Sequence, residues 1–384
     1  WVQLFDWLTL DTKIESYTMW LGGLFTQPAP SSDIALVAIN EATFRRLNKP
    51  LEKMSLDPTW RREHARLIET LSRAGARTVA FDVFLKESSS YDEELIAAIV
   101  AAKSRNTAVV FVTRGEPLPI AGLENAAFGL ACIGARIGYA PVAPLAVQEK
   151  PGLAAFALMA AHPGGKIKRI DRKNREITLL TADEELKTIR YSDDELMSSS
   201  QRSCPVLEGA KVALLFIDFS PLESWRDTAR RFRYEEVVAA AVANGTEQFK
   251  GKVVLVGHET ERDTLSFFQG FRREERYGFE VHADALSTVL RGVHIRPLDP
   301  VGQWLIMLGM GALGAAAQVL PQLNTPIKRR IYRFGAVAAY LVLTVLLYVK
   351  YQFLLNTLYH IAAFFFADWT TGKAKRRLGL SESG

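Results

Sequence analysis

Cysteine is scarce, with two in 384 residues. That excludes a scaffold built on disulfides. Cys132 and Cys204 are also too few and too distant in sequence for a structural zinc site. In an oxidising compartment the two can pair; isolated cysteines are otherwise ordinary small buried residues. No G-x-S-x-G elbow is present. The segment Gly245 to Lys252 resembles a phosphate loop only superficially. Five residues separate its glycines where four are required, and it runs into a strand where a helix is required. No internal repeat is evident. Nothing forms a nucleophile, base and orienter set, so no catalytic residue, cofactor or metal is assigned. Neither sign of charge dominates: 47 Lys and Arg oppose 42 Asp and Glu, a net charge of +5. A charged fraction of 23% with 10% aromatics excludes disorder as the main state. The pI near 9.1 alone leaves nucleic acid or an acidic membrane as partners.

Residues 1–299 read as a soluble domain with charges throughout, and after Pro300 the composition changes. Val301 to Leu320 is 20 residues without a formal charge, enough to cross a bilayer core. Phe334 to Val349 is 16 such residues, and Phe353 to Ala367 is shorter and carries Asn356 and His360. Three membrane helices are expected. Lys328, Arg329, Arg330 and Arg333 follow the first, Lys373, Lys375, Arg376 and Arg377 follow the third, and only Lys350 lies between the second and third. The positive-inside rule places the first loop and the tail in the cytoplasm and residues 1–299 outside it. The basic clusters are thus topology signals, and no nucleic acid is expected as partner. Residues 1–30 hold no spanning stretch and no signal peptide, and the chain begins with Trp. An upstream membrane segment is therefore expected. Trp1, Leu4, Phe5 and Leu8 share one helical face, which suits an interfacial helix or a docking helix of the domain.

The external part reads as α/β. Ile34–Ile39, Val79–Phe84 and Ala108–Val112 are strands. Trp60–Ala74 and Tyr91–Lys103 between them are helices. This succession predicts a mainly parallel sheet covered on both faces. Lys211–Ile217 and Lys252–Val256 read as later strands, and Tyr234–Ala243 and His282–Leu290 as later helices. Residues 115–210 read as an elaborate insertion. The expected division is a membrane-proximal segment 1–30, an external domain 31–299, an all-α membrane bundle 300–372 and a basic tail 373–384.

Ligands of open parallel sheets bind outside the carboxyl ends of the strands. Candidate ligand residues are therefore Asn40, Glu41 and Asp82 in one cluster, and His258, Glu259 and Asp263 in a second. Glu280 and His282, with Asp284, form a third group leading into the last helix. The plainer readings are Asp284 in the first turn of a helix, His282 as a satisfied buried histidine and Asp82 capping a turn. Gly311 with Ala315, and Gly335 with Ala339, are small-residue pairs that allow close helix approach.

Four segments resemble one family. They are Asp33-Ile-Ala-Leu-Val-Ala-Ile-Asn-Glu41 with Gly75-Ala-Arg-Thr-Val-Ala-Phe-Asp82, then Phe249-Lys-Gly-Lys-Val-Val-Leu-Val-Gly257, and Tyr277-Gly-Phe-Glu-Val-His-Ala283 running to Leu290-Arg-Gly292. Together they resemble the second-type CHASE domain, an extracytoplasmic sensory domain associated with cyclases and histidine kinases. Phe5-Asp6-Trp7 to Asp11 looks like the segment that follows the family's first membrane helix. Asn40 stands where the family usually has Asp. The resemblance implies a sensor subunit in the cytoplasmic (inner) membrane, multi-pass and in contact with membrane lipid. It also implies an unknown extracytoplasmic ligand, a homo-oligomer, and a cytoplasmic signalling module in cis or trans. The rival readings are a pore-forming effector, motivated by Asn356, His360 and Asp368, and an external metalloenzyme using Glu280, His282 and Asp284.

Overall fold

The computed structural model describes residues 10–26, 28–50, 57–85, 87–115, 120–136, 139–147, 150–196, 207, 209–240, 247–269 and 272–378. The central feature is a six-stranded sheet. It is built from β1 (Ile34–Ile39), β2 (Thr78–Phe81), β3 (Ala108–Thr113), β4 (Ala127–Leu130), β13 (Arg231–Arg233) and β14 (Val253–His258). The order is β13-β1-β14-β2-β3-β4, and every pairing is parallel. The apolar run of β1 is buried at every position. Alternation sends Ile34, Leu36 and Ala38 to one layer and Ala35, Val37 and Ile39 to the other. That is how a strand covered on both faces must read.

On one face lie α2 (Glu41–Arg46), α3 (Trp60–Arg73), α4 (Asp92–Ser104) and α7 (Tyr234–Ala239). On the other lie α5 (Phe156–Ala161) and α8 (Gly278–Arg291). A second sheet of seven strands adds β5 (Gly134–Arg136), β6 (Tyr139–Val147), β7 (Lys150–Ala154), β11 (Asp193–Leu196), β12 (Lys211–Phe216), β15 (Thr264–Gln269) and β16 (Arg272–Tyr277). Its pairings are antiparallel except β15 with β6. A third, antiparallel sheet holds β8 (Lys166–Asp171), β9 (Glu176–Leu180) and β10 (Leu186–Arg190). The short α6 (Leu222–Arg226) follows β12. The domain is α/β with a mainly parallel central sheet, as the strand succession predicts. Two details differ. β14 inserts between β1 and β2, and the strand at Lys211 joins the antiparallel sheet. The last helix also begins at Gly278, four residues before the expected start, where the Glu280 carboxylate accepts from the Tyr277 amide at 3.0 Å.

After the domain come α9 (Pro300–Val319), α10 (Pro326–Tyr351) and α11 (Thr357–Arg377). Two of them, α9 and α10, are long and apolar enough to cross a membrane. The expectation of three spans is corrected to two. In α11 only 11 residues, Thr357 to Ala367, precede Asp368, and Lys373 to Arg377 follow. That is short of the roughly 20 apolar residues a span requires. Only 22% of the apolar stretch of α9 and 17% of that of α10 is buried. A helix in a soluble core is covered by its neighbours. Here Trp304, Leu305 and Leu308 of α9, and Phe334, Val342 and Leu346 of α10, are each more than half exposed.

α9 and α11 pack side by side. A Cβ on Gly314 would overlap the carbonyl oxygen of Phe364 and sit 2.8 Å from its carbonyl carbon. Gly314, which pattern reading did not single out, is the point of close approach. Gly311 lies nearby, where a Cβ would stand 3.9 Å from that of Ala367, with Ala315 partly buried. Gly335 and Ala339 are exposed, and nothing lies within 4 Å of a Cβ at Gly335. The run Gly309-Met-Gly-Ala-Leu-Gly314 has dinucleotide-fold spacing but lies inside α9 with no strand before it, so it is a packing feature. β17 (Arg296–Pro297) pairs with β18 (Phe353–Leu354) and ties the end of the domain to the end of α10. α1 (Leu10–Thr26) also lies against α10, where Gly22 meets the ring of Tyr348. Trp1, Leu4, Phe5 and Leu8 lie outside the described residues. Cys132 is buried and disulfide-bonded; Cys204 lies outside the described residues.

Candidate functional site

β1, β14 and β2 are neighbours, so Asn40, Glu259 and Asp82 leave the sheet side by side. Strand parity then separates them. Ala80 packs towards α8 and Phe81 towards α3, so Asp82 follows Ala80. On β14, Gly257 abuts Phe279 of α8, while His258 stacks on Phe44 at 6.2 Å on the opposite face.

On the α8 side, Asp82, Asp263 and His282 come together. His282 Nε2 is 3.9 Å from Asp82 Oδ1, and the Phe156 ring meets the imidazole edge-on at 5.1 Å. Asp263 sits at the start of α8, where a Cβ on Gly278 would meet its Oδ1 at 3.1 Å. Burial raises both carboxyls above the usual carboxylate range, and the charge of Asp82 raises Asp263 further. Burial lowers His282 to about 4, which keeps it neutral. The site is a buried carboxyl pair that retains protons beside a neutral imidazole.

Glu259 and Glu280 are engaged elsewhere. Arg231 reaches Glu280 at 2.6 Å and Glu259 at 3.0 Å, with its guanidinium 5.2 Å from the Phe279 ring. Glu280 also accepts from the Tyr277 amide at 3.0 Å. Asn40 caps α2, its Oδ1 accepting from the Thr43 amide at 3.1 Å, and Glu41 is exposed in the first turn. The expected trio of Glu280, His282 and Asp284 does not converge. Residues two apart on a helix point to opposite sides. His282 turns to Asp82, while Asp284 turns to Arg276. Among the described residues, no three His, Cys, Asp or Glu side chains stand close enough to hold a metal ion.

Two groups escaped sequence reasoning. The first surrounds His258. His64 Nδ1 lies 3.0 Å from the Tyr234 hydroxyl, and Trp60 stacks on His64 at 5.7 Å. Trp60 Nε1, His64 Nε2 and His258 Nε2 are buried without hydrogen-bond partners. Burial lowers His64 to about 3 and His258 to about 4. The i, i+4 placement of Trp60 and His64 on the buried stripe of α3 was the available signal. The second is the fully buried ion pair of Arg276 and Asp284. Asp284 also accepts from Trp225 Nε1 at 2.8 Å and the Ser220 amide at 3.0 Å. Arg276 donates to the Ser220 carbonyl at 2.9 Å and to Glu274 at 2.8 Å. Arg276 also lines a cavity of about 160 Å³ with Trp20, Asp218, Glu274 and Tyr348, where α1, the second sheet and α10 meet.

The polar groups of the bundle tie its helices together. His360 of α11 bonds the Tyr340 hydroxyl of α10 and the Gln303 carbonyl of α9. Asp368 accepts from Gln318 at 2.8 Å and from Arg333 at 3.0 Å.

A family model of the CHASE2 domain matches residues 1–316. The chain belongs to the CHASE2 family. The match runs through the α/β domain and into α9, and CHASE2 domains are extracytoplasmic sensory domains. The resemblance carried by Tyr277–Ala283 and the strand segments is thus the correct one, and it places the carboxyl-edge residues in a sensory domain. No curated protein and no solved structure matches the chain.

Proposed function

We propose that this CHASE2 chain is a membrane-anchored sensory subunit. Its α/β domain lies outside the cytoplasm and detects a ligand or partner. The change is passed through α9 and α10, with α11 packed beside them, to a cytoplasmic output module supplied in cis or in trans. The observation that carries this reading is continuity. A sensory domain runs, with eight residues between Arg291 and Pro300, into helices whose apolar surfaces are exposed. The basic run Lys328 to Arg333 in the first turns of α10 supports a cytoplasmic position for the loop between α9 and α10. The disulfide-bonded Cys132 supports an oxidising compartment for the domain. The exposed Gly335 and Ala339 support self-association through α10.

Reporter fusions test the topology. Alkaline phosphatase fused at Asn324 is expected to be inactive, and a fluorescent protein there to be bright; the reverse pattern sinks the orientation. Sensing is tested by joining a reporter kinase after Arg377, which α11, lying along α9 from Gln303 to Gln318, brings to the same end of the bundle as Asn324. Output is expected to change with Asp82→Asn. An output unmoved by this variant and by Arg276→Met removes the signalling role of the domain.

A further inference from the structure

The cavity of about 160 Å³ at the joint between domain and bundle is walled by separate parts of the chain. Trp20 and Gly23 come from α1, Asp218 follows β12, Glu274 and Arg276 belong to β16, and Tyr348 belongs to α10. Gly22 lets α1 lie close, since a Cβ there would overlap the Tyr348 ring. A cavity of about 150 Å³ accommodates a molecule the size of benzene. Leu24, which also lines the space, is 56% exposed, so the cavity reaches the surface.

The charges around it do not balance. Among the described residues that line it, Asp218 and Glu274 stand against the single cation Arg276. Arg276 is also answered by Asp284, and Asp218 is met by Arg291 at 2.9 Å. Three carboxylates thus share two guanidinium groups. Each lining carboxylate also keeps one oxygen without a hydrogen bond. Arg276 bonds Oε2 of Glu274, which leaves Oε1, and Arg291 bonds Oδ2 of Asp218, which leaves Oδ1. Burial raises Asp218 above the usual carboxylate range although Arg291 pulls it down, as befits a charge short of partners. Trp20 and Tyr348 add aromatic surface. A cation gains from carboxylate oxygens and from aromatic faces together, whereas an anion is repelled by the carboxylates. A primary ammonium, with three N–H donors on one small head, can use both free oxygens.

We propose that this cavity is a binding site for a small organic cation, a primary ammonium on a short apolar chain. Its N–H groups donate to the free oxygens of Asp218 and Glu274, and its body lies against Trp20 and Tyr348. An occupant fixes α1, β16 and α10 against one another, so the ligand acts where the domain meets the bundle. Binding needs no membrane; only its relay to an output rests on the membrane-anchored sensor reading.

The test uses the full chain purified in detergent, with n-butylammonium as probe and n-butanol as its neutral counterpart. Calorimetric titration is expected to find butylammonium binding at one site per chain and no binding of butanol. Asp218→Asn and Glu274→Gln are each expected to weaken binding about tenfold, the effect of losing a charged acceptor. Gly23→Leu tests the cavity without touching a charge. A Cβ on Gly23 meets nothing within 4 Å, so the larger side chain has room to fill the space. This variant is expected to abolish binding without lowering the melting midpoint measured in the absence of probe. Butanol bound as tightly as butylammonium overturns the cation. Absence of butylammonium binding, or binding unchanged in Gly23→Leu, overturns the site. These readouts do not depend on the orientation of the bundle, so they and the reporter fusions succeed or fail separately.

Discussion

Replacing Arg276 by Met probes the buried network beneath the carboxyl edge. Arg276 is 1% exposed, and its Nη1 lies 2.5 Å from Asp284 Oδ2, in a side chain that is 0% exposed. Burial raises Asp284 to about 6, although Arg276 and the bonds from Ser220 and Trp225 pull it down. Without the guanidinium, Asp284 is a buried charge with no counter-charge, which costs about 3–5 kcal/mol. At about 2 °C per kcal/mol for a domain of this size, the melting midpoint is expected to fall by about 6–10 °C. The deficit is pH-dependent. The folded carboxyl binds its proton more tightly than the unfolded one, whose pKa is near 3.9. Near pH 4 the folded Asp284 is protonated and little is lost; as pH rises to about 8, the full cost develops. Arg276→Met/Asp284→Asn keeps the acceptor for Ser220 and Trp225 and removes the charge. It is expected to recover to within about 1–2 kcal/mol of the wild type. Circular-dichroism melts in detergent at the two pH values measure all three proteins. A deficit independent of pH, or a double variant no better than Arg276→Met, refutes the reasoning.

Asp82 and Asp263 keep protons in the folded state that the unfolded chain releases near pH 4, so their contribution is full below that value and lost as pH rises through the raised folded pKa values. Asp82→Asn is therefore expected to melt above the wild type at about pH 8 and level with it at about pH 4, in the same melts. Gly314→Ala forces a Cβ into the Phe364 carbonyl and is expected to destabilise the bundle by about 1–3 kcal/mol. Gly335→Ala meets nothing within 4 Å and is expected to be neutral or to gain up to about 1 kcal/mol of helix propensity. Equal effects of the two, read from the melting of detergent-solubilised protein, contradict the packing described.

The legible parts of the fold were those in which one residue pattern serves one purpose. Ile34–Ile39 is buried on both faces, so its uncharged run and its bounds were readable directly. The place of β14 between β1 and β2 was not, because it is set by contacts some 200 residues apart in sequence. Arg272-Arg-Glu-Glu-Arg-Tyr277 is almost wholly charged, yet Arg276 within it is among the most buried large side chains. Nothing local distinguishes it from Arg272 or Arg273; its partner Asp284 lies on the next element. The carboxyl-edge candidates leave neighbouring strands, but parity on β2 and β14 sends Asp82 and His258 to opposite faces. The third membrane span failed for a plainer reason. Phe353 and Leu354 form β18 and not the start of a helix, which shortens the apolar run.

α8 connects the buried carboxyl pair to the joint between the domain and α10. It begins at Gly278 against Asp263 and ends at Arg291, about 21 Å away for 14 residues. Five residues on, at Arg296, β17 begins, and the Arg296 amide donates to the Gln352 carbonyl at the end of α10. The Gln352 side chain also accepts from the His294 amide at 3.0 Å. A buried helix transmits an axial shift with little internal compliance, because its neighbours pack at crystal-like density. A change in protonation or occupancy at Asp82 and Asp263 therefore has a rigid route to β17 and β18. Deuterium uptake tests this. Asp82→Asn is expected to change exchange at residues 293–298 and 352–355, while exchange in β8 to β10, which lies off this route, stays constant. Uptake at the β17–β18 joint that ignores the substitution would mean that α8 holds the domain together but carries no signal.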